Sequence, residues 1–395
     1  MAVRPAPGPV GAVRASLRWS ALPAPLRRTL RLTGLIAVTR LAGVVAAVIA
    51  AHRVPLPNAA RYWSSTDPVL DALTRWDALW LIRIARDGYA AYSLLDTTAF
   101  FPGYPLLMGA TADVTGLDPA VAGIAVSLVS LLIGLSLLER YITIDRGPAA
   151  ARATSLVMCA VLPTSFFFGV PYTESTFVMS VAGALLFARR GRFGAAAAFA
   201  ALATLTRLNG IVVVAAIAVE AWRGPGGRPA RRRRLALCAL GASGIAAYMA
   251  FLAIRFGEPL LFLDAQRLGW SRSLAIPGSQ LLHGALHIDN SRIAVEVASS
   301  LLAIGLTIVG WRRMRPGERT LVVGSLVILL GSTELQSMAR LVLPLLPLWI
   351  VVGGWLAEAE WRPRRRTIAW STLIVLGTAG HAWVAYLYAS GQFIA

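Results

Sequence analysis

The sequence predicts an all-α polytopic membrane protein, and two observations carry that prediction. Of its 395 residues, 57% are hydrophobic and only 14% charged, whereas a soluble domain carries about 25% charged residues. The apolar residues also gather in runs near the ~20 residues that a spanning helix needs. A mean hydropathy of +0.65 excludes a soluble enzyme, a disordered chain and a disulfide scaffold.

Residues 1–32 are rich in Pro and Arg and lack the charged-then-apolar layout of a cleaved signal peptide. They read as a flexible cytoplasmic arm whose arginines touch anionic lipid. Residues 33–395 read as one transmembrane domain. Apolar runs of spanning length fall at 33–52, 119–143, 149–170, 235–255, 293–311 and 367–389. Shorter runs fall at 174–188, 193–206, 208–222, 320–335 and 341–357. The run 103–116 reaches only ~21 Å at 1.5 Å per residue, so it reads as a juxtamembrane or re-entrant helix.

Charge sets the orientation. All 38 basic residues are arginine and the net charge is +19. The arginines cluster between apolar runs, which is the positive-inside pattern of a membrane protein and argues against nucleic acid as a partner. Placing the arm, Arg140–Arg152, Arg189–Arg192, Arg223–Arg234, Arg312–Arg319 and Arg362–Arg366 in the cytoplasm gives nine to eleven crossings. The count is nine if 193–222 is a re-entrant hairpin. The N-terminus is then inside, and two long segments, 53–118 and 256–292, lie outside. Both are rich in aromatic and acidic residues, which suits recognition of a sugar or a lipid head group. Cys159 and Cys238 sit within apolar runs and read as small core residues. Four histidines and no Cys/His cluster offer no clear metal-ligand set.

Four motifs carry the candidate chemistry. The first is Arg75-Trp76-Asp77, running on to Trp80, Gly88 and Tyr89. Leu70, Leu73, Trp76, Trp80, Leu81 and Ile84 recur near a 3.6-residue period. They predict an amphipathic helix along the outer surface, ended by Gly88. Asp77 lies beside its apolar face, where partial burial raises the basicity of a carboxylate. The plainer alternative makes Arg75 and Asp77 interface charges beside a Trp anchor. The second motif is Phe100-Phe101-Pro102-Gly103-Tyr104-Pro105, either a packed turn or one wall of a site. The third is Pro171-Tyr172-Thr173-Glu174-Ser175, with Glu174 in the first turn of a helix, where the macrodipole favours it. The fourth is Thr206-Arg207-Leu208-Asn209-Gly210. An arginine inside a membrane segment is costly and marks a functional site by default. Arg40 and Arg340 are placed similarly. The alternative for all three is an internal ion pair with Asp or Glu.

These four motifs, in this order, resemble the signature of the PIG-V mannosyltransferase family, and the resemblance runs from about residue 33 to residue 350. It implies a GT-C-type glycosyltransferase fold with an outer-face juxtamembrane catalytic loop. It also implies transfer of mannose from a polyprenyl-phosphate donor to a lipid-linked glycan acceptor at the outer face of the cytoplasmic membrane. For a bacterial chain the implied acceptor is a phosphatidylinositol mannoside, a lipoglycan or another envelope lipid. Relatives often carry Pro-Arg-Tyr where this chain has Met338-Ala339-Arg340-Leu341, so Arg340 is kept and its aromatic neighbour is not.

The resemblance further implies an inverting displacement with Asp77 as the base. Arg207, Arg340 and Arg75 would hold the donor phosphate. Trp76, Trp80, Tyr89, Tyr104 and Asn209 would line the substrate site, and Glu174 would be either a carboxylate behind that site or a helix cap. Metal dependence varies among enzymes of this fold, so a divalent cation is the one cofactor in question. The rival class is a flippase or transporter of lipid-linked sugars, which would need midplane polar residues and inverted repeats. Few intramembrane charges and no repeat are visible in the sequence.

Overall fold

The computed structural model describes residues 22–54, 65–360 and 362–392. Most of the expected arm and part of the first outer segment lie outside these residues. The described chain is helical, with one isolated antiparallel bridge, Leu274 to Ser332. In chain order the helices are α1 (Ala24–Arg53), α2 (Pro68–Leu73), α3 (Asp77–Asp87), α4 (Leu94–Thr97), α5 (Gly103–Thr115) and α6 (Pro119–Leu156). They continue as α7 (Glu174–Arg189), α8 (Phe193–Thr206), α9 (Gly210–Arg223), α10 (Arg228–Ala239), α11 (Ser243–Phe256) and α12 (Leu261–Asp264). The last six are α13 (Ser279–Leu286), α14 (Ser291–Gly310), α15 (Pro316–Leu330), α16 (Met338–Leu341), α17 (Leu346–Glu358) and α18 (Pro363–Ala389).

Five helical stretches are long and apolar enough to cross a membrane: Ala24–Arg53, Pro119–Val161, Arg228–Phe256, Ser291–Arg313 and Pro363–Ala389. The runs 119–143 and 149–170 join in the second of these, which kinks where Gly147 takes φ 78° ahead of Pro148. The other apolar runs form α7, α8, α9, α15 and α17, of 16, 14, 14, 15 and 13 residues. At 1.5 Å per residue they reach roughly 20–24 Å. α6 packs on α7 and α17, α7 on α8, α8 on α9, α9 on α15, and α1 on α18. Leu135, Val181, Ala200, Val213 and Ile350 are buried at the centre of this bundle, which is how apolar helices exclude both water and lipid.

The basic clusters meet at one end of the bundle. Asp145 pairs with Arg189 and Arg315, Glu318 with Arg146, Glu139 with Arg28 and Arg31, and Glu358 with Arg313. α7 ends there and α15 begins there. The opposite ends of α7, α8, α9 and α15 converge with α3 and α16. The α8–α9 turn, Arg207–Asn209, lies at that opposite end, so both helices run the full distance between the two.

One predicted element divides. The amphipathic helix expected from Leu70 to Gly88 is two helices, α2 and α3, broken at Thr74–Trp76. Trp76 sits at φ 57°, ψ −123°, a conformation that costs a side-chain-bearing residue about 1–3 kcal/mol. Neighbours hold it there. The Tyr388 hydroxyl lies 2.8 Å from both the amide nitrogen and the carbonyl oxygen of Arg75, and the Tyr172 hydroxyl lies 3.3 Å from the same carbonyl. Gly88 ends α3 at φ 77°, and the run 103–116 is the helix α5, ended by Gly116 in the left-handed region.

Candidate active site

Asp77 occupies the first position of α3, where the helix dipole favours a carboxylate. It lines a cleft of about 60 Å³ with Ala99, Phe100, Gln266, Trp270, Arg272, Gln336, Ser337 and Arg340. Asp77 Oδ2 accepts a 2.6 Å hydrogen bond from Arg340 Nη1. Arg340 Nε lies 3.6 Å from Glu174 Oε1, and the same oxygen accepts a hydrogen bond from Arg207 Nη2. The site is therefore a chain of alternating charges: Asp77, Arg340, Glu174, Arg207.

Each motif residue has a local reason to be here. Tyr172 supports the Arg340 guanidinium, which lies 4.9 Å from its ring centre, with Phe167 at 5.6 Å. Thr173 Oγ1 accepts from Arg207 Nε at 2.7 Å. Glu174 is fully buried in the first turn of α7. Ser175 donates to the Phe168 carbonyl at 3.0 Å. Gly210 lets α9 start against α8, because a Cβ there would sit 2.3 Å from the Ala203 carbonyl carbon and the Thr204 nitrogen. Gly103 does the same for the second motif: its Cβ would sit 2.9 Å from Leu205 O and Thr206 Oγ1.

Arg340 is presented by α16, a single turn starting at Ser337. The Glu296 carboxylate accepts from the Ser337 and Met338 amides at 2.7 and 2.6 Å and so fixes that turn. Burial pulls the Arg340 pKa down, but Asp77 and Glu174 outweigh it, and the net shift is upward. The facing wall comes from the second outer segment. Residues 273–278 are strapped to 330–333 by Ala275 N to Gly331 O, Thr333 N to Ser273 O and Gly278 N to Leu330 O, at 2.8, 3.0 and 3.0 Å.

The structure does not gather all the predicted residues at the cleft. Asp77 and Arg340 line it, and Glu174 and Arg207 stand directly behind. Trp76 packs at the kink, on the cluster around Tyr104 and Tyr172. Arg75 is 1% exposed and pairs with Asp71 at 2.6 Å. Trp80 is half-buried and carries the Arg83 guanidinium 5.2 Å from its ring. Tyr89 donates to the Phe100 carbonyl at 2.7 Å and packs on Tyr248, so it braces a cleft wall from behind. Tyr104 lies in the core between α5 and α6, bonded to Gly123 O at 2.7 Å and Ser127 Oγ at 2.8 Å. Asn209 sits at the start of α9, beside Arg207. Arg40 meets the Cys159 and Ser165 carbonyls and Ser165 Oγ. No carboxylate among the described residues pairs with it, so the internal ion pair holds for Arg207 and Arg340 but not for Arg40.

Sequence reasoning missed Gln266, Trp270, Arg272, Gln336 and Ser337. The aromatic and acidic content of 256–292 singled out that segment but no residue within it. Among the described residues no group of three or more His, Cys, Asp or Glu side chains is placed to hold a metal. The carboxylates of the charge chain, Asp77 and Glu174, both face guanidinium groups.

A family model described as Mannosyltransferase (PIG-V) matches residues 33–224. No curated protein matches the chain by sequence. Among solved structures the chain is similar to ArnT from Cupriavidus metallidurans bound to undecaprenyl phosphate. The TM-score is 0.50 at 15% identity, over 92% of this chain and 77% of that one. The oligosaccharyltransferase of Archaeoglobus fulgidus, tethered with an acceptor peptide, gives a TM-score of 0.46 at 12% identity, over 92% of this chain and 55% of that one. At such identities the likeness to ArnT is one of fold.

Proposed function

We propose that the chain is a PIG-V-like membrane glycosyltransferase with the GT-C fold, and that it transfers mannose from polyprenyl-phosphate-mannose to a lipid-anchored glycan, with inversion. One observation supports this reading above the others: the cleft sets a single carboxylate, Asp77, against a guanidinium, Arg340, at 2.6 Å. Phosphate is a good leaving group and needs no general acid, so one base suffices. The acceptor hydroxyl attacks the anomeric carbon, the bond from that carbon to the phosphate oxygen breaks, and the hydroxyl proton passes to Asp77. Arg340 faces the charge that builds on the departing polyprenyl phosphate. Glu174 and Arg207 keep Arg340 in place, and Arg75, through Asp71, holds the backbone ahead of Asp77. No step is routed through a metal ion.

The reaction is placed on the outer face of the cytoplasmic membrane, with the N-terminus inside. The support is the opposition of the two bundle ends: the arginine clusters lie at one and the cleft at the other, and arginine-rich ends stay cytoplasmic.

The test gives labelled polyprenyl-phosphate-mannose to membranes containing the wild type or Asp77→Asn and follows label into extractable glycolipid. Label with the wild type and none with the variant is the expected result. Equal label in both would remove Asp77 from the mechanism, and no label in either would remove the donor.

A further inference from the structure

The arginines of the charge chain are already neutralised. Arg340 serves Asp77 and Glu174, and Arg207 serves Glu174. Arg75, at the start of the first motif, serves Asp71. A phosphate that turned to any of these would have to compete with a carboxylate. Arg272 is different. It lines the cleft, and among the described residues no carboxylate lies within ion-pair reach of it. Among the described residues its side chain donates one hydrogen bond, from Nη2 to the Gln336 carbonyl at 3.1 Å. A guanidinium has five N–H donors, so the rest remain available to an anion entering the cleft.

The position of Arg272 is built. Its amide donates to the Gln266 carbonyl at 2.7 Å, and Ser273 N donates to Thr333 Oγ1 at 2.9 Å. The strap to residues 330–333 follows directly. Its backbone is therefore fixed before any ligand arrives, which lowers the entropic cost of binding. The charged side chains lining the cleft are Asp77, Arg272 and Arg340, a formal excess of one positive charge. Burial lowers the Arg272 pKa, and the neighbouring Arg340 adds to that fall. An anion in the cleft would relieve both effects.

We propose that Arg272 is the binding residue for the phosphate of the polyprenyl donor, the group that accepts this anion first and holds it beside Arg340. This rests on the lipid-donor reading above. The geometry favours a phosphate because a guanidinium offers paired N–H groups that match two phosphate oxygens. The indole of Trp270 and the side chain of Phe100 form the adjoining wall, 5.4 Å apart edge to face. They give the first part of a lipid or sugar an apolar surface to lie on.

The experiment uses the purified full-length protein and measures binding of undecaprenyl monophosphate, with undecaprenol and phosphatidylinositol as the comparison probes. Arg272→Gln should weaken undecaprenyl monophosphate roughly tenfold to a hundredfold, the value of charge-assisted hydrogen bonds. It should leave undecaprenol and phosphatidylinositol unchanged. Arg272→Lys keeps the charge but loses the paired donors, so it should recover only part of the affinity. A lysine variant as weak as the glutamine one would indicate lost packing and overturn the proposal. Wild-type binding of undecaprenyl monophosphate by Arg272→Gln would overturn it too, as would a loss confined to phosphatidylinositol, which would place the acceptor there instead. If the wild type does not prefer the phosphate to the alcohol, the lipid-donor reading falls and this proposal falls with it. If it does and Arg272→Gln matches it, only the assignment of Arg272 falls.

Discussion

Replacing Asp77 and Arg340 singly and together tests whether they act as one unit. Their heavy atoms are 2.6 Å apart. Unit charges at that distance attract by about 6 kcal/mol at an effective dielectric constant near 20. Much of this is offset, because the Arg340 side chain is only 9% exposed and has been taken out of water. The net value of a hydrogen bond to a charged group is about 1.5–3 kcal/mol. A coupling of about 2 kcal/mol follows, or about thirtyfold in rate at 1.36 kcal/mol per decade. The assay is the initial rate of label transfer from polyprenyl-phosphate-mannose by protein reconstituted in vesicles. Asp77→Asn should cost about 10²–10⁴ in kcat and Arg340→Gln about 10²–10³. The double variant should be about thirtyfold faster than the product of the two losses, because residues that act together are not additive. Losses that multiply, with a coupling under about 0.5 kcal/mol, would refute the reasoning. Arg340 would then act on the departing phosphate alone, and its contact with Asp77 would contribute nothing to turnover.

Two further predictions concern the frame around the site. Tyr388→Phe removes the hydroxyl that meets the Arg75 amide and carbonyl, and with it buried hydrogen bonds. The expected cost is about 1–3 kcal/mol, seen as a lower denaturation midpoint together with slower transfer. An unchanged midpoint and rate would show that α18 does not set the bend ahead of Asp77. Gly210→Ala puts a Cβ 2.3 Å from backbone atoms of Ala203 and Thr204, so α8 and α9 must spread and carry Arg207 away from Glu174. The expected loss is about 1–3 kcal/mol with reduced folded yield, and wild-type behaviour on size-exclusion and thermal unfolding would count against it.

The parts of the molecule written in local chemistry were readable from the chain. Apolar runs became helices, Gly88 ended α3, and the arginine clusters met at one end. The order of the motifs brought Asp77, Glu174 and Arg207 into one charge chain. What escaped was set by contacts distant in sequence. The bend at Trp76 depends on Tyr388, more than 300 residues away, and no periodicity announces it. The cleft wall of Gln266, Trp270, Arg272 and Gln336 is held by backbone hydrogen bonds between two loops that share no pattern. Tyr89 and Tyr104 have the composition of sugar-binding residues, yet their hydroxyls are occupied by backbone carbonyls or a core serine.

The length of the central helices bears on how a greasy substrate reaches its chemistry. α7, α8, α9, α15 and α17 span roughly 20–24 Å, and the hydrocarbon layer is about 30 Å thick. Helices this short either draw one end below the head groups or thin the bilayer around them. In both cases the distance from the head-group plane to Asp77 contracts. A polyprenyl chain can stay dissolved among its neighbours while its polar end sinks a few ångströms inward, whereas a water-soluble sugar donor would have to leave the aqueous phase to make the same approach. Substrate selection then begins with partitioning, before any side chain touches the sugar.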